Sequence, residues 1–151
     1  MTKNTFISEE RAIELLKIIE GAEITSAWRG YGSAIFVEFG NLSKRSGAKH
    51  EQGEQTLAVE WSWRLEGSDS VLVGSFDENA KMSDFPDMVV GKIVKSVLIF
   101  TGLKEIQLEL SDSLRLLSFT TTSGDPQWCL RYNDTEHLCV IENKFQIEHA
   151  T

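Results

Sequence analysis

Two segments of the chain share a pattern of tryptophan, alternating apolar residues and a polar turn. The first is WRLEGSDSVLV (63–73) and the second is WCLRYNDTEHLCV (128–140). Alternation of apolar and polar residues on both sides of a turn is typical of a β-hairpin. A pattern that occurs twice in so short a chain predicts two structural units of the same kind.

The residues before each of these segments also correspond in order. Gly21 and Gly91 each precede an alternating strand. The strands that follow match as well: IFVEFGN (35–41) with IQLELSD (106–112), and LAV (57–59) with LRL (114–116). We therefore predict an internal duplication of about 65 to 70 residues. Alternating strands and glycine or aspartate turns occur in any antiparallel meander, so a chance resemblance is the alternative.

The N-terminal region has a helical period instead. Residues 8–20 place apolar side chains on one helical face, Ser8 can cap the first turn, and Gly21 can end the helix. Residues 77–90 contain Pro86 and are predicted to form an irregular connector with room for one helical turn.

These patterns predict a mainly β (α+β) fold made of two related antiparallel β units and one N-terminal helix. The whole chain (1–151) is expected to form a single domain, since each unit alone would bury too little apolar surface. We place the helix at 8–20, the first β half at 21–80 and the second β half at 91–148.

The tryptophans of the first half are expected in different environments. TLAVEWSWRLE (56–66) alternates throughout and is predicted to be one strand. Trp61 and Trp63 share its apolar face, so core positions are expected for both. Trp28 stands next to a glycine-containing hairpin turn (29–32), which predicts a surface position.

The chain carries a net charge of −8, from 15 Lys and Arg against 23 Asp and Glu. This charge disfavours binding to the phosphate backbone of nucleic acids. One basic cluster falls in the polar stretch 41–55, for which a solvated loop is the interpretation: Lys44, Arg45, Lys49 and His50.

Acidic residues on the strands would suit a basic partner protein. Glu38, Glu60 and Glu109 alternate with apolar residues and are expected to face solvent, as is Glu142. A surface of this charge would attract a basic protein. With Trp28 as the exposed aromatic, the candidate partner-binding residues are Glu38, Glu60, Glu109 and Trp28, and the 42–55 loop is the other candidate surface. Solvated strand faces with no partner are the alternative.

No apolar run of the sequence is long enough to span a membrane. The longest candidate, MVVGKIVKSVLIF (88–100), is interrupted by Gly91, Lys92 and Lys95. The N-terminus has acidic residues where a signal peptide would be apolar. We therefore predict a cytoplasmic protein without membrane contact, whose cysteines are reduced.

The histidines do not form a recognisable catalytic motif. His50 falls in a loop, His137 at a strand start and His149 near the C-terminus, with no serine or cysteine beside them in a nucleophile motif. Catalysis stays open only if distant residues converge, such as His137 with Asp125 or Glu142. We predict no catalytic residue.

The sequence also predicts no cofactor and no metal site. Cys129 and Cys139 stand ten residues apart without metal-ligand spacing, and are interpreted as reduced, partly buried residues on neighbouring hairpin strands. GYGSAIF (30–36) leads into a strand, whereas a phosphate-binding loop needs a helix start.

Three segments resemble a pattern in a family of uncharacterised small bacterial β-rich proteins. They are VEWSWRLEGSDSVLVGSFD (59–77), GKIVKSVLI (91–99) and LRLLSFTTTSGDPQWCLR (114–131), within residues of about 33 to 142. Some proteins of this family look like immunity proteins of bacterial toxin systems, so the resemblance implies such a role. It implies no catalytic residue. The 41–55 stretch departs from the pattern because its loop is longer.

We therefore expect a non-enzymatic, cytoplasmic binding protein. The leading hypothesis is an immunity-type inhibitor of a basic toxin domain such as a nuclease. The alternative is a small-ligand-binding or accessory domain that uses a cleft between the two halves. The sequence predicts neither the oligomeric state nor which surface makes the contact.

Overall fold

The alternating apolar residues of the sequence lie on the inner faces of two antiparallel sheets. The computed structural model describes residues 2–123 and 127–150. The strands within them are β1 (Thr2–Phe6), β2 (Ile24–Arg29), β3 (Ile35–Phe39), β4 (Gln55–Val59), β5 (Trp63–Glu66), β6 (Val71–Gly74), β7 (Val94–Ile99), β8 (Ile106–Leu110), β9 (Arg115–Ser118), β10 (Trp128–Arg131), β11 (Glu136–Ile141) and β12 (Lys144–Ala150). The predicted mainly β fold is confirmed.

The helices are short and lie at the two places where the alternation stops. They are α1 (Glu9–Leu16), α2 (Asn79–Met82) and α3 (Phe85–Val89), with 3-10 turns at Lys17–Ile19 and Ser111–Ser113. In α1 the Ser8 hydroxyl accepts the Arg11 N–H at 3.1 Å, which is the predicted cap. The prediction of a single helix was incomplete, because the 77–90 connector forms both α2 and α3.

The strand order interleaves the two halves of the chain. Within the described residues, one sheet runs β1-β12-β11-β10-β4-β3-β2 and the other runs β6-β5-β9-β8-β7. Each sheet therefore contains a three-stranded meander from one half and a hairpin from the other, in the same order. Strands from the predicted halves 21–80 and 91–148 share one hydrophobic core.

The two meanders meet where each begins, and they make the same backbone hydrogen bonds there. The Gly21 N–H donates to the Val94 carbonyl at 2.7 Å, and the Gly91 N–H donates to the Ile24 carbonyl at 2.7 Å. Both glycines have left-handed backbones, with φ of +83° and +91°. The two meanders therefore make reciprocal contacts at their starts. Their origin by duplication stays a prediction.

The prediction of one strand over 56–66 is wrong. β4 ends at Val59 in the seven-stranded sheet, and β5 starts at Trp63 in the five-stranded sheet. The chain crosses between the sheets over residues 60–62, so the alternation that appears continuous in sequence is interrupted in space. Trp63 is fully buried as predicted, whereas Trp61 lies in the crossover and is 44% exposed.

The second-half hairpin has hydrogen-bonded neighbours on both sides. β10 pairs with β4, β11 pairs with β12, and β12 pairs with β1. β1 was not predicted, because its sequence TKNTF (2–6) has a single apolar residue and no strand periodicity. Its strand conformation therefore depends on pairing with β12.

The structure joins Cys129 and Cys139 in a disulfide, so the prediction of reduced cysteines is wrong for this structure. The two residues lie directly opposite each other in the register of β10 and β11, with Cα atoms 4.2 Å apart. The sequence shows that the two cysteines are ten residues apart, but it does not show where the hairpin turns. The position of the turn decides whether the two residues lie opposite each other.

Candidate functional site

Two loops lie side by side at one end of the seven-stranded sheet. One is the tip of the β2–β3 hairpin (30–34) and the other is the β4–β5 crossover (60–62). The Ser33 hydroxyl donates to the Trp61 carbonyl at 2.7 Å, and the indole N–H of buried Trp63 donates to the Ser33 carbonyl at 2.6 Å. These two hydrogen bonds hold the loops to each other and to the core.

A hollow of about 550 Å³ opens between the two loops. The aromatic and charged side chains of its lining are those of Trp28, Tyr31, Phe36, Glu60 and Trp61. We call it the aromatic hollow. The Tyr31 side chain is 100% exposed and Trp61 is 44% exposed, so both rings are accessible from solvent. Rings fixed on tied loops are suited to binding an apolar or flat group.

Trp28 forms a wall of the hollow and is half-buried. Its ring stacks between Phe36, at a centroid distance of 4.0 Å, and His50, at 4.1 Å. The Trp28 indole N–H donates to a carboxylate oxygen of Glu38 at 2.9 Å. Both faces of Trp28 are therefore covered, and the predicted surface aromatic is a positioned component of the site.

Gly30 allows the hairpin tip to lie close to Phe36. A Cβ atom added at Gly30 would lie 2.6 Å from a ring carbon of Phe36. A larger residue would therefore displace the ring that forms the floor of the hollow.

The expectation that Glu38 faces solvent is wrong. Glu38 is fully buried beneath the loop that joins β3 to β4, and the Gly53 N–H donates to its carboxylate at 3.0 Å. The Thr56 hydroxyl also donates to Glu38, at 2.5 Å. Alternation correctly placed Glu38 on the outer face of the sheet, but it did not show that a loop covers this face.

A second charged group lies in the same buried row. Arg131 is 7% exposed and donates to the Gly53 carbonyl at 2.7 Å and to the Thr56 hydroxyl at 3.0 Å. Burial lowers the pKa of Arg131, and the charge of Glu38 opposes this change. The Glu38 carboxylate accepts the Gly53 N–H, and the Arg131 guanidinium donates to the Gly53 carbonyl. Both charged groups therefore hold the loop backbone in place, which is a structural role.

The basic cluster of the polar stretch is not simply a solvated loop. His50 stacks on Trp28, and Arg45 forms an ion pair with Asp134 at 2.5 Å. Lys49 and His50, with Arg29, line a second hollow of about 510 Å³ on the other side of Tyr31. The two hollows next to Tyr31 therefore differ in charge.

Glu60 and Glu109 lie on different faces of the molecule. Glu60 is exposed and lines the aromatic hollow. Glu109 is half-buried on the five-stranded sheet, where it pairs in register with Arg115 and accepts a hydrogen bond from Gln107 at 2.5 Å. The structure therefore brings together Trp28 and Glu60 of the predicted candidates, places Glu38 behind them and leaves Glu109 apart.

The sequence pattern does not single out Tyr31 or Phe36, and it predicts a core position for Trp61. The available signal for Tyr31 was its position between two glycines in a hairpin turn, where a bulky ring has no core to enter. No such signal existed for Trp61, because its exposure follows from the crossover.

The equivalent position in the second half has a polar lining. The β7–β8 tip and the residues after β9 line a hollow of about 670 Å³, to which Leu103, Thr120, Thr121 and Asn143 contribute. The aromatic lining of the first hollow is therefore not repeated in this second hollow, which serves as an internal comparison site.

The described residues give no support for metal chemistry, since none of their His, Cys, Asp and Glu side chains form a group of three or more that could hold an ion.

His137 lies in register with Arg131 on one side and Glu148 on the other. Burial lowers the pKa of His137, and Glu148 opposes this change. Glu142 lies in the β11–β12 turn, and the other considered partner, Asp125, lies outside the described residues.

Comparisons with protein-family models, curated proteins and solved structures find no match for the chain. Among residues 2–123 and 127–150, the helices are too short or too polar to cross a membrane. The aromatic hollow is therefore interpreted from its own geometry.

Proposed function

We propose that this protein is a non-enzymatic binding protein that contacts a partner protein through the aromatic hollow. The observation that supports this proposal is the exposure of Tyr31 and Trp61 on two loops that Ser33 ties together. Tyrosine and tryptophan dominate the binding energy of many protein interfaces, and a loop backbone that is already fixed loses little conformational entropy on binding.

The charge of the chain supports a basic partner. The net charge is −8, and Glu60 lies beside the exposed rings. Opposite charge accelerates association and disfavours other partners. We therefore propose an immunity-type inhibitor of a bacterial toxin such as a nuclease. Its contact residues are Trp28, Tyr31, Glu60 and Trp61, and no longer Glu38 or Glu109.

A cytoplasmic site of action is part of this proposal. The disulfide between Cys129 and Cys139 is the observation against it, because cytosolic thiols keep most cysteines reduced. The hairpin that contains the disulfide is hydrogen-bonded to β4 and β12 on its two sides. We propose that these ladders maintain the fold when the bond is reduced.

Duplication of an ancestral unit is also proposed. It is supported by the shared strand order of the two sheets and by the matched hydrogen bonds of Gly21 and Gly91. Loss of aromatic residues in one copy, or their gain in the other, would then account for the different linings of the two comparable hollows.

The function is tested by inspecting the genes that flank the one for this chain and by co-expression with any toxic C-terminal domain encoded directly upstream. We expect the wild-type protein to protect the cells and to co-purify with the toxin. The double variant Tyr31→Ala/Trp61→Ala should lose both properties. The matched control, Leu103→Ala in the polar hollow of the second half, should retain them. Absence of protection and of a complex with the wild-type protein would overturn the proposal.

The volume of the aromatic hollow supports a second candidate function. At about 550 Å³ it falls within the range of small-molecule sites, so a ligand-binding or accessory domain is the alternative proposal. Native mass spectrometry of the purified protein should then show an added ligand mass, and Trp61→Ala should remove it.

A further inference from the structure

We infer that the aromatic hollow receives the guanidinium group of an arginine on the partner protein. This inference rests on the proposed function and specifies the chemistry of the same site. Its basis is the combination of accessible rings with the Glu60 carboxylate in one hollow.

The rings that can stack on an incoming group are Tyr31 and Trp61. Trp28 has both faces covered, by Phe36 and His50, so it forms a wall without offering a free ring face. Tyr31 is 100% exposed and Trp61 is 44% exposed. The negative face of an aromatic ring attracts a cation, and tryptophan is the strongest such partner among the side chains.

The two hollows beside Tyr31 differ in the charge of their lining residues. The aromatic hollow has Glu60 in its lining, whereas the second hollow has Arg29, Lys49 and His50. A cation is therefore favoured on the Glu60 side of Tyr31 and disfavoured on the other side. The net charge of −8 acts in the same direction, since it attracts a basic protein from a distance.

Arginine fits this hollow better than lysine does. A guanidinium group is planar, so it can stack on a ring face while its N–H groups donate to a carboxylate. It is also less strongly hydrated than an ammonium group, which lowers the cost of entering an apolar lining. Tyr31 and Trp61 would supply the stacking faces, and Glu60 would supply the acceptor.

The comparison hollow in the second half shows which features matter. It has a similar position and a volume of about 670 Å³, but its lining contains Leu103, Thr120 and Thr121. With threonines in place of rings, it has no stacking face among its lining residues within the described chain. Its lining also contains a carboxylate, that of Glu142, so a cation that binds by charge alone would not distinguish the two hollows, whereas a guanidinium that stacks on a ring would.

The test is a titration of the full chain, labelled with ¹⁵N, with N-acetyl-L-arginine amide. N-acetyl-L-citrulline amide is the neutral probe of nearly the same shape, and N-acetyl-L-lysine amide is the second cation. We expect arginine amide to shift the Trp61 indole signal and to bind about threefold more tightly than citrulline amide. Citrulline amide binding as well as arginine amide, or lysine amide binding more tightly, would overturn the inference.

Variants of the lining residues locate the binding. Trp61→Leu should abolish the arginine-dependent shifts of the backbone amide signals of residues 30–34, and Glu60→Gln should weaken binding by about threefold. The control Leu103→Ala should leave the affinity unchanged. If Leu103→Ala weakened binding as much as Glu60→Gln, the probe would be binding elsewhere and the inference would fail.

The inference and the proposed function fail in distinguishable ways. If the toxin complex depends on Tyr31 and Trp61 but arginine amide shows no preference over citrulline amide, the binding function stands and the arginine assignment is wrong. If arginine amide binds as expected but the co-expressed toxin is not neutralised, the cation site stands and the immunity function is wrong.

Discussion

Trp63 and Trp128 make the same hydrogen bond at equivalent places in the two halves. The Trp63 indole N–H donates to the Ser33 carbonyl at 2.6 Å, and the Trp128 indole N–H donates to the Lys104 carbonyl at 2.8 Å. Each acceptor lies two residues before the middle strand of a meander, and both tryptophans are fully buried. Each ring therefore fastens a hairpin tip of one sheet to a strand of the other, which explains why the tryptophan-led pattern occurs twice.

Replacement of either tryptophan by phenylalanine should destabilise the protein to a similar extent. Trp63→Phe and Trp128→Phe each remove a donor and leave a carbonyl with no indole partner, which costs roughly 1 to 3 kcal/mol of unfolding free energy. Urea unfolding, followed by circular dichroism, measures the change. If only one of the two variants lost stability, the two tryptophans would have the same geometry but would not contribute equally to the unfolding free energy.

The elements that could be predicted from sequence are those whose pattern is local. The hairpins that begin at Trp63 and Trp128 followed from alternation around polar turns, and the helix start followed from the cap at Ser8. The position of Trp61 could not be predicted, because a change of sheet does not interrupt a period of two. The β1 strand could not be predicted, because its pairing partner comes from the far end of the chain.

The candidate site was predicted in part. Trp28 and Glu60 were named from the sequence, and the structure places both at the aromatic hollow. Glu38 was assigned to the correct face of its strand, but a period of two does not show which loop covers that face. Tyr31 and Trp61 join the site through two loops that are remote in sequence, and tertiary structure alone brings these loops together.

The buried row of Glu38 and Arg131 should be sensitive to removal of one partner. Arg131→Met leaves the buried Glu38 carboxylate without a nearby cation, and it leaves the Gly53 carbonyl without the hydrogen bond from Arg131. We therefore expect the unfolding free energy to fall by roughly 3 kcal/mol. Trypsin should also cleave faster at Arg45, because the loop loses an anchor. Chemical unfolding and timed proteolysis measure the two effects.

The double variant separates charge from packing. Glu38→Gln/Arg131→Met should be more stable than Arg131→Met alone, since no uncompensated charge stays buried. The control is Arg64→Met on the five-stranded sheet. Arg64 forms an ion pair with Glu66 at 2.6 Å, but its side chain is partly exposed. Its cost should stay below about 1 kcal/mol. Equal losses for Arg131→Met and Arg64→Met would contradict the structural role of the buried row.

The disulfide should contribute to stability without determining the fold. The Cys129→Ala/Cys139→Ala variant removes a link that closes a short loop, which predicts a loss of roughly 3 kcal/mol relative to the oxidised protein. Dithiothreitol should lower the wild-type stability towards that of the variant, while the far-ultraviolet circular dichroism of both stays native-like. Unfolding of the reduced wild-type protein at room temperature would argue against a cytoplasmic site of action.

Stability should decrease on mild acidification because of His137. Burial lowers the pKa of His137 below its ordinary value of 6.5 in the folded protein, whereas the unfolded chain takes up a proton near 6.5. Between these two values the unfolded state binds more protons, so the unfolding free energy falls as the pH falls through this window. Above 6.5 the contribution of the neutral, half-buried imidazole is fully present. Urea unfolding at several pH values between about 7.5 and 5 measures the slope. His137→Gln should flatten the slope, and an unchanged slope in that variant would assign the pH dependence to other groups.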